Sequence, residues 1–303
     1  MAINAASTIP STDRALALVL GSFTVLVWAG TPAGFVYAVQ GFDAYAAGAL
    51  RTAFAAPIAV IALMTFAKVR WRTFFQRDVM LLLLIAGAGG YGLYPILLAE
   101  AIARTSTGHA GLILAVLPIQ TAAIAFALDR ERPGRLWMVG VAIAAAGQAV
   151  LFLYDDGGNG ATLEGDLICL VSTLFAAAGY IAGSKLGAKL GFAAGTFACI
   201  FVGAVTLSPI IILTVPHIDW GGVPSTAWAG VAYLSLMSVI FGYMAWYAAL
   251  AKGGVQSVAP LQFAQPLITL VIGVVLFQEV ITLNVVIAAA MILSGVWLTR
   301  RRS

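Results

Sequence analysis

The chain has 303 residues, 62% of them hydrophobic and only 9% charged, with a formal net charge of +4. A soluble domain is roughly 45–50% apolar and about 25% charged, and a soluble fold of this length has too little interior to hide so much apolar surface. The positive balance does not point to nucleic acid, because the basic residues are spread over short loops rather than gathered on one face.

A bilayer core about 30 Å thick takes roughly 20 apolar residues per helix. Ten such stretches fill the chain, at 15–39, 44–67, 79–103, 107–129, 135–154, 164–185, 192–215, 226–251, 255–278 and 281–299. The first is too long for a signal-peptide core and lacks a basic region before it, so it reads as a retained span. Arg14, Lys68, Arg70, Arg72, Arg77, Arg130, Arg132, Arg135, Lys185, Lys189, Lys252, Arg300, Arg301 and Arg302 all flank the termini or alternate loops. The opposite loops hold only Arg104, which places both termini in the cytoplasm by the positive-inside rule. The loop Asp155 to Gly160 has no basic residue. It is expected outside, and it divides the chain into halves of 1–154 and 155–303.

In chain order, the spans carry few groups able to do more than face lipid. Span one holds Trp28, and span two holds Arg51, the one basic residue well inside a span. Inserting that charge costs about 2.5–3.5 kcal/mol on translocon scales, so a partner or a wet cavity is expected. Either Glu100, near the outer end of span three, pairs with it and fixes two helices, or Arg51 binds a substrate carboxylate. Span three also holds Tyr91, Tyr94 and Pro95, after Gly87-Ala88-Gly89-Gly90-Tyr91-Gly92. That run satisfies G-x-G-x-x-G, but a dinucleotide site needs a strand before it and a soluble βαβ unit around it. Small residues here read as permitting close helix approach or bending.

Span four adds Pro118 and Gln120, span six Tyr180, span eight Tyr243, Trp246 and Tyr247, and span nine Gln262, Gln265 and Pro266. Polar and aromatic groups deep in a span are unfavourable unless paired or facing a cavity. Together they suit a site for a zwitterionic or aromatic solute. The competing reading, strongest for Trp246 and Tyr247, is the interfacial aromatic belt. Pro118 and Pro266 each remove a helical donor and are candidate hinges, or static kinks that only aid packing. Cys169 and Cys199 sit inside spans, and His109 and His217 are isolated, so no disulfide, metal or cofactor is expected. All twelve acids lie at span ends or in loops, which disfavours a proton relay across the midplane and favours a net-neutral solute.

An internal repeat gives these groups an arrangement. Shifting by 148 residues brings Pro118 onto Pro266, Glu131 onto Glu279 and Gly147 onto Gly295, and Ser22 matches Ser172 at 150. The shared position of Glu131 and Glu279 suggests a structural role at helix ends. With five spans per half, the second half must enter the membrane from the opposite side, as in secondary transporters whose substrate site lies between inverted repeats.

Trp28-Ala29-Gly30, Arg51-Thr52, Pro118 followed by Glu131, and Pro266 followed by Glu279 make the chain resemble the EamA-type drug/metabolite transporter superfamily over almost its whole length. Within it the chain looks like the bacterial aromatic amino-acid exporters. The resemblance implies an all-α membrane protein of ten transmembrane helices around a central cavity, lined by spans one, three, four, six, eight and nine. Two departures stand out: Phe201 replaces Arg51 in the second half, and Gln265 replaces Leu117.

The expected protein is a bacterial inner-membrane carrier, not an enzyme, exporting aromatic and other neutral amino acids by alternating access. Its expected partners are the small-molecule substrate and membrane lipid, and small residues Ala288, Ala289, Ala290 and Ser294 in span ten leave monomer or weak homodimer open. Proton-coupled efflux of lipophilic cations is the alternative. A membrane-embedded lipid-modifying transferase is a third possibility, but it lacks a polar catalytic cluster at one face.

Overall fold

The computed structural model describes residues 11–66, 71–129, 133–154 and 160–299, and all regular structure among them is helical. Among the described residues, eight helices are long and apolar enough to cross a bilayer: α1 (Asp13–Ala38), α2 (Ala44–Thr65), α3 (Arg77–Ile102), α4 (Thr107–Leu128), α5 (Arg135–Leu153), α6 (Leu163–Leu190), α7 (Ala193–His217) and α8 (Ser225–Leu250). Two shorter apolar helices follow, α9 (Gln265–Phe277) and α10 (Leu283–Thr299). The break expected near residue 252 is absent, because the helix entering from α8 runs on to Val258. Pro260 then disfavours α geometry at the residue before it, and the chain turns through a 3-10 segment, Ala259–Ala264. The expected span nine is thereby reduced to the 13 residues of α9.

The helices pair α1 with α8, α3 with α6, α2 with α7, α4 with α9 and α5 with α10, and further contacts join α3 to α7 and α2 to α8. Replacing each helix by the one five places away leaves this set of pairs unchanged. The backbone shows the same correspondence. Ile85–Leu93 in α3 and Tyr233–Phe241 in α8 are both π-helical, and both ends of the two stretches are 148 residues apart. Such wide turns misalign the backbone ladder and leave carbonyls for other donors.

Pro95 ends the first wide stretch and has no N–H to offer the Tyr91 carbonyl four residues back. Thr52 Oγ1 of α2 donates to that carbonyl at 2.7 Å instead. Pro209 inside α7 is compensated in the same way by Ser208 Oγ, which donates to the Val205 carbonyl at 2.7 Å. The glycine run of α3 allows backbone contact, since a Cβ on Gly179 of α6 would stand 2.9 Å from the Gly90 Cα.

The interior is built from apolar side chains of both halves, among them Phe35, Leu98, Leu112, Leu151, Leu234 and Ile292. Other large apolar groups, such as Met64, Leu213 and Val275, are about 70% exposed. On a soluble protein such a surface would aggregate, whereas here lipid covers it.

α5 and α10 run antiparallel, with Gly140 beside Gly295 and Gly147 beside Ala288 and Ile292. Close approach of this kind is how helices associate in lipid, where burial of apolar surface gives no drive. A Cβ on Gly295 would lie 2.5 Å from the Gly140 carbonyl oxygen and 2.6 Å from the Ala144 nitrogen, both backbone atoms that cannot rotate away. Gly295→Val is therefore expected to destabilise the protein by about 1–3 kcal/mol through overpacking. A lower unfolding midpoint in detergent checks this.

Candidate functional site

A cavity of about 370 Å³ lies between the halves, lined from α1 by Trp28 and Thr31, from α2 by Arg51, from α3 by Tyr94 and from α6 by Tyr180. α8 contributes Ser238 and Tyr243, the 3-10 segment Gln262, and the first turn of α9 Gln265 and Pro266. α4 lines it from Gly111 to Ala125 and includes Pro118, while α10 adds Leu293 and Val296.

The wall is positioned by the backbone features above. Trp28 Nε1 donates to the Ser238 carbonyl at 3.0 Å, a group within the second wide-turn segment, and the Thr31 and Ser238 hydroxyls meet at 3.0 Å. Edge-on packing sets the rings, with the Trp28 and Tyr243 centroids 5.0 Å apart. Tyr91 and Trp246 do not line the cavity. They stand behind it, Tyr91 at 5.4 Å from Tyr243 and Trp246 at 5.4 Å from Trp28. Gln120 also turns away, its Nε2 donating to the Leu170 carbonyl of α6 at 3.4 Å.

Pro118 and Pro266 occupy equivalent breaks. Pro118 follows a turn at Ala115 and Val116 closed by short-range backbone bonds, and Pro266 follows the 3-10 segment. Each opens an α segment, where a missing N–H costs little. Neither can donate to the carbonyl four residues back, of Leu114 and Gln262, and both of those residues line the cavity.

Arg51 is 3% exposed, and its Nε and Nη1 have no hydrogen-bond partner. Its guanidinium carbon lies 6.0 Å from the centre of the Tyr94 ring. The expected Arg51–Glu100 pair does not form. Glu100 Oε1 instead meets Arg104 Nη1 at 2.5 Å, one helical turn on, and Arg104 Nε reaches Glu164 at 3.5 Å. An i,i+4 pair near the helix end keeps both charges close to water, whereas turning Glu100 inward would desolvate a second ion.

Glu279 is an inter-helical cap rather than a cavity group. Its Oε1 accepts from the Thr107 N–H at 2.7 Å and its Oε2 from the Gly108 N–H at 2.8 Å. Those are orphan donors at the start of α4, where the helix dipole also favours an anion. Left-handed Gln278, φ 55°, ends α9 and points the chain there. Glu131 lies outside the described residues, as do Asp155 to Asn159.

His109 is not isolated. Its Nδ1 meets Asp166 Oδ2 at 2.8 Å with both side chains at most 3% exposed, and Thr105 Oγ1 donates to the other Asp166 oxygen. At the opposite end of the helices, Lys189 meets Asp78 at 2.5 Å and Lys252 meets Asp13 at 2.8 Å, joining α6 to α3 and α8 to α1. Exposed pairs of this kind contribute about 0–1 kcal/mol.

Comparison with known proteins places this geometry. The profile of the EamA-like transporter family matches residues 15–153 and again 163–301, two copies starting 148 residues apart. An uncharacterized transporter of Bacillus subtilis, YdeK, is 29% identical over 86% of this chain and 88% of its own. A probable terminal-alkyne amino-acid exporter of Streptantibioticus cattleyicolor is 26% identical over 92% of each chain. A probable amino-acid metabolite efflux pump of Salmonella typhimurium is 24% identical over 74% of this chain and 79% of its own. A solved crystal structure shares the fold with a TM-score of 0.61 at 18% identity, over 95% of this chain and 97% of that one.

Proposed function

Because the chain belongs to the EamA-like transporter family, matched in both halves, we propose that it exports amino acids, aromatic ones foremost, through the cavity between those halves. The protein is a multi-pass membrane transporter and not an enzyme. The observation that carries the substrate reading is the cavity wall. It combines Trp28, Tyr94, Tyr180 and Tyr243 with the amides of Gln262 and Gln265 around about 370 Å³. That volume falls within the roughly 300–1,000 Å³ usual for small-molecule sites. Aromatic faces receive a flat apolar side chain, and the amides and hydroxyls supply donors and acceptors without net charge.

In this reading the halves, 1–154 and 155–303, are inverted five-helix repeats of a ten-span carrier in the inner membrane, with both termini cytoplasmic. Support comes from the pairing of helices five places apart and from the antiparallel course of α5 and α10. Transport proceeds by alternating access. Contacts between α4 and α9 seal the end opposite the basic loops, where a Cβ on Gly111 would stand 2.6 Å from Thr269 Cγ2. The cavity reaches the other way, along α4 to Ala125 and along α10 to Val296, toward the cytoplasm.

Lipophilic cations fit less well, because among the described residues the groups lining the cavity include the Arg51 cation and no carboxylate. Purified protein in liposomes is expected to exchange labelled Phe, Tyr or Trp for the unlabelled amino acid. Failure to exchange any neutral amino acid overturns the proposal.

A further inference from the structure

We propose that Arg51 is the anchor for the substrate's carboxylate, so that the carrier selects solutes by a free carboxylate held beside an aromatic side group. The inference rests on the amino-acid reading above and adds the group that recognises one end of the solute.

Arg51 stands out among the described charges. Lys189, Lys252 and Arg104 each have a carboxylate partner at a helix end. Arg51 instead sits two turns into α2, and two of its three nitrogens find no acceptor. A buried ion without a partner costs several kcal/mol, and such a group is retained where something arrives to satisfy it.

The acids that might have served are engaged elsewhere. Glu100 is held by Arg104, Asp166 by His109 and Thr105, and Glu279 by two backbone N–H groups of α4. The acceptor therefore has to come from the cavity, which Arg51 lines together with Tyr94, Trp28 and Tyr243.

A guanidinium presents parallel N–H groups that match the two oxygens of a carboxylate. The Tyr94 ring beside it covers one side with a π face that tolerates a cation. A carboxylate docked there directs the remainder of the solute toward Trp28 and Tyr243. Phe201, the expected counterpart in the second half, is 45% exposed, and at the 148-residue offset of the wide-turn stretches the place of Arg51 is taken by buried, uncharged Cys199. The site is thus one-sided, and a substrate enters in one orientation.

The test pairs a protein variant with a set of solutes. For the wild-type protein, 3-phenylpropionate, which keeps the carboxylate, is expected to compete with labelled Phe, while phenethylamine, which lacks it, is expected to compete on the order of a hundredfold less well. Arg51→Met is expected to lose Phe exchange and the Phe-induced rise in unfolding midpoint, yet to be at least as stable as wild type without solute, because it removes an unpaired buried charge. Arg51→Lys is expected to restore part of the binding, with the charge retained and the two-pronged geometry lost.

Equal competition by phenethylamine and 3-phenylpropionate overturns the inference even if Arg51→Met does not fold. So does an Arg51→Met protein that keeps its response to Phe, or a purely structural result in which Arg51→Met is destabilised and its Phe response is intact. Chloride-dependent stability that vanishes in Arg51→Met, with no preference among the solutes, would mark a resident inorganic anion and also overturn it. Absence of exchange of every neutral amino acid by the wild-type protein is a different result and removes the underlying reading.

Discussion

Replacing Asp166 by alanine is expected to destabilise the protein by about 3–5 kcal/mol, the range for removing one partner of a buried pair. Asp166 lies in the first turn of α6, 2% exposed, and accepts from the His109 ring and the Thr105 hydroxyl. Truncation removes the acceptor that both donors share inside a buried site, the costly half of the hydrogen-bond asymmetry. It also removes a negative charge from the positive end of a helix dipole. Asp166→Asn keeps one oxygen and the volume, and its loss is expected to be smaller. Thermal unfolding in detergent distinguishes these outcomes, and an unchanged midpoint for Asp166→Ala would show that the pair contributes nothing to the fold.

Glu279→Ala is expected to loosen the seal between α4 and α9. The carboxylate satisfies two N–H groups of α4 from the far end of α9, and hydrogen bonds to charged groups contribute about 1.5–3 kcal/mol each. Losing about 3 kcal/mol changes the equilibrium between closed and open forms of that end on the order of a hundredfold. The readout is a cysteine at Thr269, which is 1% exposed, in a chain whose buried Cys169 and Cys199 are replaced by alanine. Its reaction with a maleimide is expected to be much faster in the Glu279→Ala protein. Gly273→Ala should act in the same direction, because its Cβ would collide with the Glu279 carboxylate. Glu279→Gln keeps one acceptor and should fall between. Equal labelling rates in all four backgrounds would exclude a latch role for Glu279.

These two residues also show where reading the sequence stops. Asp166 is 57 residues from His109 and Glu279 is 172 from Thr107, and nothing local to any of them announces the other. The acids were legible only as residues at span ends. Glu279 was legible as half of a repeat, but not as a cap on a helix of the other half. The cavity shows the same limit. Trp28, Tyr94, Tyr180, Tyr243, Gln262 and Gln265 line it, while Tyr91, Trp246 and Gln120, alike in type and depth, face other helices.

In a soluble helix the apolar stripe marks the buried face. In these spans the lipid-facing and protein-facing sides are both apolar, so periodicity does not say which side looks inward. Arg51 was the exception, because a charge is costly in hydrocarbon whichever way it points.

The linear chain alone determined that the protein is helical, crosses a membrane and is built twice over, since those properties follow from hydrophobic length and from similarity at one offset. Only the tertiary structure decided which carboxylates Arg104, Lys189 and Lys252 hold, which rings meet in the cavity and, among the described residues, which buried charge is left without an acceptor. Such outcomes depend on distances between helices far apart in the chain, and those distances are set by where glycine, proline and wide helical turns let backbones touch.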